Sequence, residues 1–234
     1  MASASAPDRN AKDSKNDSQT TLNVQDASTY NKWQRKFAMY TGITLGLPEE
    51  VVRADQMALY HRTCEGWKNE LLNYSPGVVF MLKHLRQMGS PMPPENIRCE
   101  PCIGSREGGI APQVNAIYLC ENVIKSKVQM EATLMHELVH VYDNCKFNMN
   151  WMNMRHQACS EIRANSLSGN CWWSREKDGH PFTFTKQHQA CVRRRAIMSV
   201  RNHPACPDDA TAERVVNEVW ESCFNDTRPF DEIY

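Results

Sequence analysis

From Lys127 to Lys146 the apolar residues Val128, Ala132, Met135, Val139 and Tyr142 recur at alternating spacings of four and three, one stripe of an α-helix. Leu134, Leu138 and Val141 add a second stripe, and the remaining face carries Thr133, His136, Glu137, His140 and Asp143. A helix apolar on two sides belongs inside a domain, with its polar strip turned toward a cleft. Ser126 followed by Gln129 makes a capping box that predicts a start near Lys127. Just upstream, Val114, Ala116 and Tyr118 alternate with Asn115, Ile117 and Leu119, which predicts a strand over 114–120.

The rest of the pattern is mostly helical. Helices are predicted over 49–72 and 77–87, the second opened by Ser75-Pro76 and closed by Gly89 and the prolines at 91, 93 and 94. Residues 99–113, rich in Gly and Cys, read as turn or short strand. A helix from Trp151 to Leu167 stops at Ser168-Gly169, and two more, 186–201 and 209–224, are joined through Pro204 and Pro207. The end, 226–234, reads as irregular. Residues 1–29 hold few large apolar groups and are expected to form a disordered tail. Asn31 to Tyr40 mixes aromatic and basic residues, and within it Trp33 to Tyr40 is a core-packing helix, or a segment that touches a membrane surface. The expectation is an α+β, predominantly helical protein, with one domain over 30–234 ending in a helical extension.

Composition narrows the classes. Twenty-seven basic residues balance 27 acidic ones, so no global field favours nucleic acid or an acidic membrane. The cluster Arg193-Arg194-Arg195 reads as a solvated helix face. The longest apolar run, Val78 to Leu82, is far short of a membrane span. Neither a secretory leader nor an Arg-rich transit peptide is expected, given the missing apolar stretch after Met1 and the acidic Asp8, Asp13, Asp17 and Asp26. The ten cysteines, Cys64, Cys99, Cys102, Cys120, Cys145, Cys159, Cys171, Cys191, Cys206 and Cys223, are spread along the chain. Cys99 and Cys102 form the one CxxC, too little for a structural zinc site. Scattered core thiols and several disulfides in an oxidising compartment are both open readings, and the second conflicts with the absent leader.

His136-Glu137-Leu138-Val139-His140 is an HExxH pattern. Histidines four apart lie one above the other on a helix and can reach one Zn2+, while the intervening Glu can take a proton from water beside it. The pattern also arises by chance, but here it falls mid-helix on the only polar face. A catalytic zinc takes a third protein ligand. The extended HExxHxxGxxH form is absent, since residue 143 is Asp and residue 146 is Lys. Glu161 on the following helix is the leading candidate. Asp143 is either a ligand or an acceptor that orients an imidazole. His156 is a ligand, a donor to the tetrahedral oxyanion, or an ordinary helix histidine. The strand at 114–120 either pairs with extended substrate or is wholly internal.

The segments His136 to Asp143, Arg155 to Ala164, Leu167 to Gly169, Cys191 to Ala196 and Asp226 to Phe230 together resemble the mitochondrial inner-membrane metallopeptidases that assist ATP synthase assembly, a likeness running over roughly 30–234. The resemblance implies a zincin-like core with a small sheet, an HExxH active-site helix and C-terminal helices braced by disulfides. Glu137 falls on the catalytic carboxylate, and His136 and His140 on the zinc ligands. It implies a peripheral protein on the intermembrane-space side of the inner membrane that processes the precursor of ATP synthase subunit 6 and acts on assembly intermediates. Oxidative trapping in that space would reconcile the cysteines with the lack of a leader. Two other classes remain open: an assembly chaperone whose main role is non-proteolytic, and a DNA-associated peptidase, which the zero net charge disfavours.

Overall fold

The computed structural model describes residues 16–172 and 184–231. The chain divides into two compact units, Met1–Leu59 and Tyr60–Tyr234. Two helices make up the described part of the first: α1 (Asn16–Thr41) and the opening turns of α2 (Glu49–Tyr74). Gly42 and Gly46, both at positive φ, turn the chain between them. Arg35 on α1 forms an ion pair with Asp55 on α2. Helix α1 corrects the disordered tail for residues 16–29, which are helical; residues 1–15 lie outside the described residues. Composition forecasts how little apolar surface a segment buries, and says nothing of whether its backbone closes bonds on itself. The boundary expected near residue 30 therefore falls inside a helix. The expected core-packing role of Trp33–Tyr40 does not hold for Trp33 and Tyr40, which are exposed, whereas Phe37 is half-buried.

The second unit holds the rest of α2, then α3 (Pro76–Gln87), β1 (Ile97–Glu100), β2 (Gly108–Ala111), β3 (Ala116–Cys120), α4 (Lys127–Lys146), α5 (Met154–Leu167), α6 (Phe184–Arg201) and α7 (Asp209–Phe224). The sheet order is β1-β3-β2, with β1 parallel and β2 antiparallel to β3. The predicted strand is thus the central one, hydrogen-bonded on both sides, and its role as a partner for substrate is overturned. The edges fall to β1 and β2 instead, and β2, which borders the cleft side of α4, is too short and too rich in glycine to show an alternating pattern.

Two apolar cores flank the helix that carries the HExxH residues. The first gathers Leu71, Val78, Met81, Leu85, Ile97, Ile117 and Leu119 against Met130, Leu134, Leu138 and Val141 of α4. The second packs Ala158 and Ile162 of α5 against Val192, Ala196 and Val200 of α6 and Val215, Val216 and Trp220 of α7. At the start of α4, Ser126 Oγ accepts from Gln129 N (3.2 Å), while Gln129 Oε1 accepts from Lys125 N (2.8 Å). The capping box is therefore displaced by one residue on its return bond. Glu107, next to β2, accepts from Gln129 Nε2 and Thr133 Oγ1, each at 2.8 Å, and pins the edge strand to α4.

Four disulfides join distant elements: Cys64–Cys99 links α2 to β1, Cys102–Cys120 ties the following loop to β3, Cys159–Cys223 links α5 to α7, and Cys171–Cys191 links the segment after α5 to α6. Cys159–Cys223 spans 64 residues, a closure worth about 4 kcal/mol on chain-entropy grounds. The two cysteines of the CxxC go to different partners. Cys145 and Cys206 are free, which corrects their place among the disulfide candidates. A bridge needs Cα atoms within about 7 Å, a proximity that an even count of cysteines does not guarantee.

Gly108 tests how tightly β2 is held. A Cβ there would stand 2.8 Å from Tyr118 O and 2.9 Å from Thr133 Cγ2. Gly108→Ala is expected to destabilise the protein by about 1–3 kcal/mol, through overpacking against backbone. Urea denaturation measures this, and an unchanged midpoint would show that strand and helix part freely.

Candidate metal centre

His136 and His140 stand one turn apart on α4, and their Nε2 atoms converge to 3.0 Å. Glu161 on α5 brings Oε2 to 3.5 Å from His136 Nε2 and Oε1 to 3.6 Å from His140 Nε2. These donors all lie within 4.8 Å of one another, a group able to hold a metal ion. Ligands about 2.0–2.1 Å from a tetrahedral zinc sit roughly 3.3 Å apart, so the observed separations bracket what zinc would impose. Two imidazoles and one carboxylate also suit that ion chemically.

Neighbouring groups hold two of the three candidate ligands, His140 and Glu161. His140 Nδ1 lies 2.7 Å from Ser160 Oγ, and Ser160 Oγ donates to Asp143 Oδ2 at 2.8 Å. With Nε2 turned to the metal group, Nδ1 carries the hydrogen and donates it to Ser160. Asp143 is thus outside the ligand group and orients His140 through a serine; of its two expected roles, the ligand reading is set aside. Asp143 Oδ1 accepts from Arg163 Nε (3.0 Å), and Arg163 also donates to the carbonyls of Asp226 and Arg228, each at 2.7 Å. Glu161 Oε1 accepts from Ser199 Oγ (2.6 Å) on α6, and Oε2 from Asn165 Nδ2 (3.2 Å), whose Oδ1 accepts from Arg195 Nε (2.8 Å). His136 Nδ1 is buried without a hydrogen-bond partner among the described residues.

The group opens into a cleft of about 600 Å³, whose walls include Gly108, Gly109 and Ile110 of β2, and Arg194, Arg195, Met198 and Ser199 of α6. Glu137 lines it, beside the three ligand candidates. Burial pushes the Glu137 carboxyl above its ordinary value, against the pull of His136 and His140. Burial pushes Glu161 the same way, but bonds and charges from the two histidines outweigh it and hold the carboxyl well below the usual range. Arg106 Nη1 donates to Tyr118 Oη (3.2 Å), and both side chains line the cleft. His156 does not line it. Its Nδ1 accepts from Asn150 N (3.0 Å), so it braces the turn ahead of α5 and is neither ligand nor oxyanion donor. The arginine cluster is not a uniform solvated face. Arg193 lies 4.0 Å over the Trp220 ring, whereas Arg194 and Arg195 face the cleft.

The Peptidase M76 family model matches residues 62–231, nearly the whole second unit. The chain belongs to the Peptidase M76 family. Relatives named mitochondrial inner membrane protease atp23 come from Neosartorya fischeri, 46% identical over 88% of this chain and 89% of that protein, and Yarrowia lipolytica, 44% identical over 88% and 84%. One from Kluyveromyces lactis is 43% identical over 88% and 90%. No solved structure matches the chain. In this M76 peptidase, reasoning from the sequence passed over Ser160, Arg163, Ser199, Arg106 and Tyr118. Ser160 and Arg163 flank Glu161 on its helix and carried a local signal; nothing along the chain ties Ser199 to Glu161.

Two outcomes are expected. Ser160→Ala frees the His140 ring and should lower metal affinity about 10–100-fold, as read by competition with a chromogenic chelator. Burial lowers the His140 pKa, but the bond and charge of Glu161 override it and push it up to about 9. Below that pH the metal-free protein carries a proton that metal must displace. Metal uptake near pH 7 should therefore release protons, and affinity should rise with pH toward 9. Calorimetry in buffers of different ionisation enthalpy checks this; identical heats in all buffers would refute it.

Proposed function

We propose that the protein is a zinc-dependent endopeptidase with a zincin-like catalytic core, in which Glu137 is the general base. The observation that carries this is the convergence of His136, His140 and Glu161 beside a buried Glu137 that faces the cleft. Zinc held there supplies Lewis acidity toward a peptide carbonyl and toward water. Glu137, its proton affinity raised by burial, takes the proton of the attacking water and passes it to the leaving amine. Edge strand β2 offers main-chain groups to an extended substrate, a mode that accepts the middle of a chain as well as its end. Arg106 and Tyr118 present a guanidinium and a phenol of the kind that stabilise an oxyanion, one of the roles open to His156 from sequence.

The proposed location is the mitochondrial inner membrane, peripheral and on the intermembrane-space side. The relatives' names support the membrane, and four disulfides in a chain with ten cysteines fit an oxidising compartment. The proposed substrate is the precursor of ATP synthase subunit 6, with a further role in assembling the membrane sector. Support for that lies in the likeness of the segments around His136, Glu161, Cys191 and Asp226 to the peptidases that assist this assembly.

Glu137→Gln is the discriminating variant. Cleavage of the precursor should fall by at least about 10²–10⁴-fold while metal content stays at the wild-type level. Retained cleavage would overturn the general-base role. Lost cleavage with assembly intact would separate a chaperone function from the peptidase.

A further inference from the structure

Helix α1 carries an aromatic stripe that is largely exposed among the described residues. Tyr30, Trp33, Phe37 and Tyr40 are spaced three, four and three apart, which places them on one side of the helix. Ring centroids are 6.0 Å apart for Tyr30–Trp33 and 5.3 Å for Trp33–Phe37, both stacked. Tyr30 is 56%, Trp33 52% and Tyr40 77% exposed, and past Gly42 the exposed Ile43 and Leu45 prolong the apolar surface. Ala38, by contrast, is buried. This is more aromatic surface than a helix leaves in water without a use.

Charge says what covers it. Between Asp26 and Glu49 there is no acidic residue, and the only charges are Lys32, Arg35 and Lys36. Arg35 is engaged by Asp55, whereas Lys32 and Lys36, one turn apart and exposed, flank the stripe. The chain as a whole is neutral, so this local excess of cations is a property of the segment. Tyr and Trp have an apolar body and a polar edge, which suits them to the level of lipid headgroups. Lysine stems lie along apolar surface while their ammonium groups reach outward to anions. Among the described residues no helix is long and apolar enough to cross a membrane.

From this we infer that the segment Tyr30–Leu45 is a docking surface for an anionic phospholipid bilayer, with the aromatic stripe at headgroup depth and Lys32 and Lys36 against lipid phosphates. The inference rests on the inner-membrane location proposed above and names the side chains that make the attachment. It lies outside the matched peptidase region, 62–231.

The test uses the full chain and co-sedimentation with phosphatidylcholine vesicles, with and without admixed phosphatidylglycerol. Wild type should bind the anionic vesicles and bind pure phosphatidylcholine far less. Lys32→Gln with Lys36→Gln should lower partition onto anionic vesicles about 10–30-fold. Trp33→Ser with Tyr40→Ser should abolish it, and both variants should keep wild-type circular dichroism and cleavage of a soluble peptide. Failure of wild type to bind, equal binding to both vesicle types, or variants that bind as wild type would each overturn the surface. So would loss of exposed aromatic surface to a dimer of this chain. Fractionation of mitochondria separates the two readings. Wild type absent from the inner-membrane fraction refutes the location itself; wild type present there with both variants unmoved refutes only the docking surface.

Discussion

The arrangement of the centre depends on one buried ion pair. Arg163 is 1% exposed, and its guanidinium bonds Asp143 from α4. Burying two charges is costly, and their attraction offsets that cost only when the remaining donors are satisfied. Here both terminal nitrogens of Arg163 bond the carbonyls of Asp226 and Arg228 beyond α7, Nη1 also lies 2.6 Å from Asp226 Oδ1, and the rings of Tyr142 and Phe147 lie 5.9 and 5.6 Å away. Asp143 is thereby committed on both oxygens, to Arg163 and to Ser160. Because Ser160 and Arg163 sit on one helix with Glu161 between them, fixing them against Asp143 sets the rotation of α5 and delivers the Glu161 carboxylate to the histidines.

The candidate ligand set is thus assembled from two helices and locked from a third. α4 supplies both imidazoles one turn apart, α5 supplies the carboxylate, and α6 supplies Ser199, whose hydroxyl donates to Oε1 of that carboxylate. Bridges Cys159–Cys223 and Cys171–Cys191 keep α5, α6 and α7 from separating, although none of these cysteines touches the ligands. Rigidity of this kind matters for a centre whose donors must stay within a few tenths of an ångström of a metal's preferred distances.

The candidate metal centre and the exposed aromatic stripe are carried by different parts of the chain. The peptidase match begins at residue 62, close to where the second unit starts, and the aromatic stripe of α1 lies wholly in the first. Surface residues in the first unit can therefore vary without disturbing the buried polar network of the second.

The periodicity of residues 127–146 was enough to place a buried helix with its histidines and Glu137 on one polar strip, because a 3.6-residue repeat is a local property that needs no partner. Capping by Ser126, the C-terminal helices and the candidacy of Glu161 were legible for the same reason or through resemblance. Sheet order was not: β1 and β2 are four residues each, and whether β3 is central or at the edge depends on which chains lie beside it. The helical state of residues 16–29 went unseen as well, since their composition spoke only to burial. Pairing of cysteines, the removal of His156 from the cleft and the serine between His140 and Asp143 are likewise matters of proximity across space. The chain by itself settled which side chains share a helix face; only the packed structure decided which faces meet, because hydrogen bonds and disulfides act over a few ångströms in space and are indifferent to distance along the sequence.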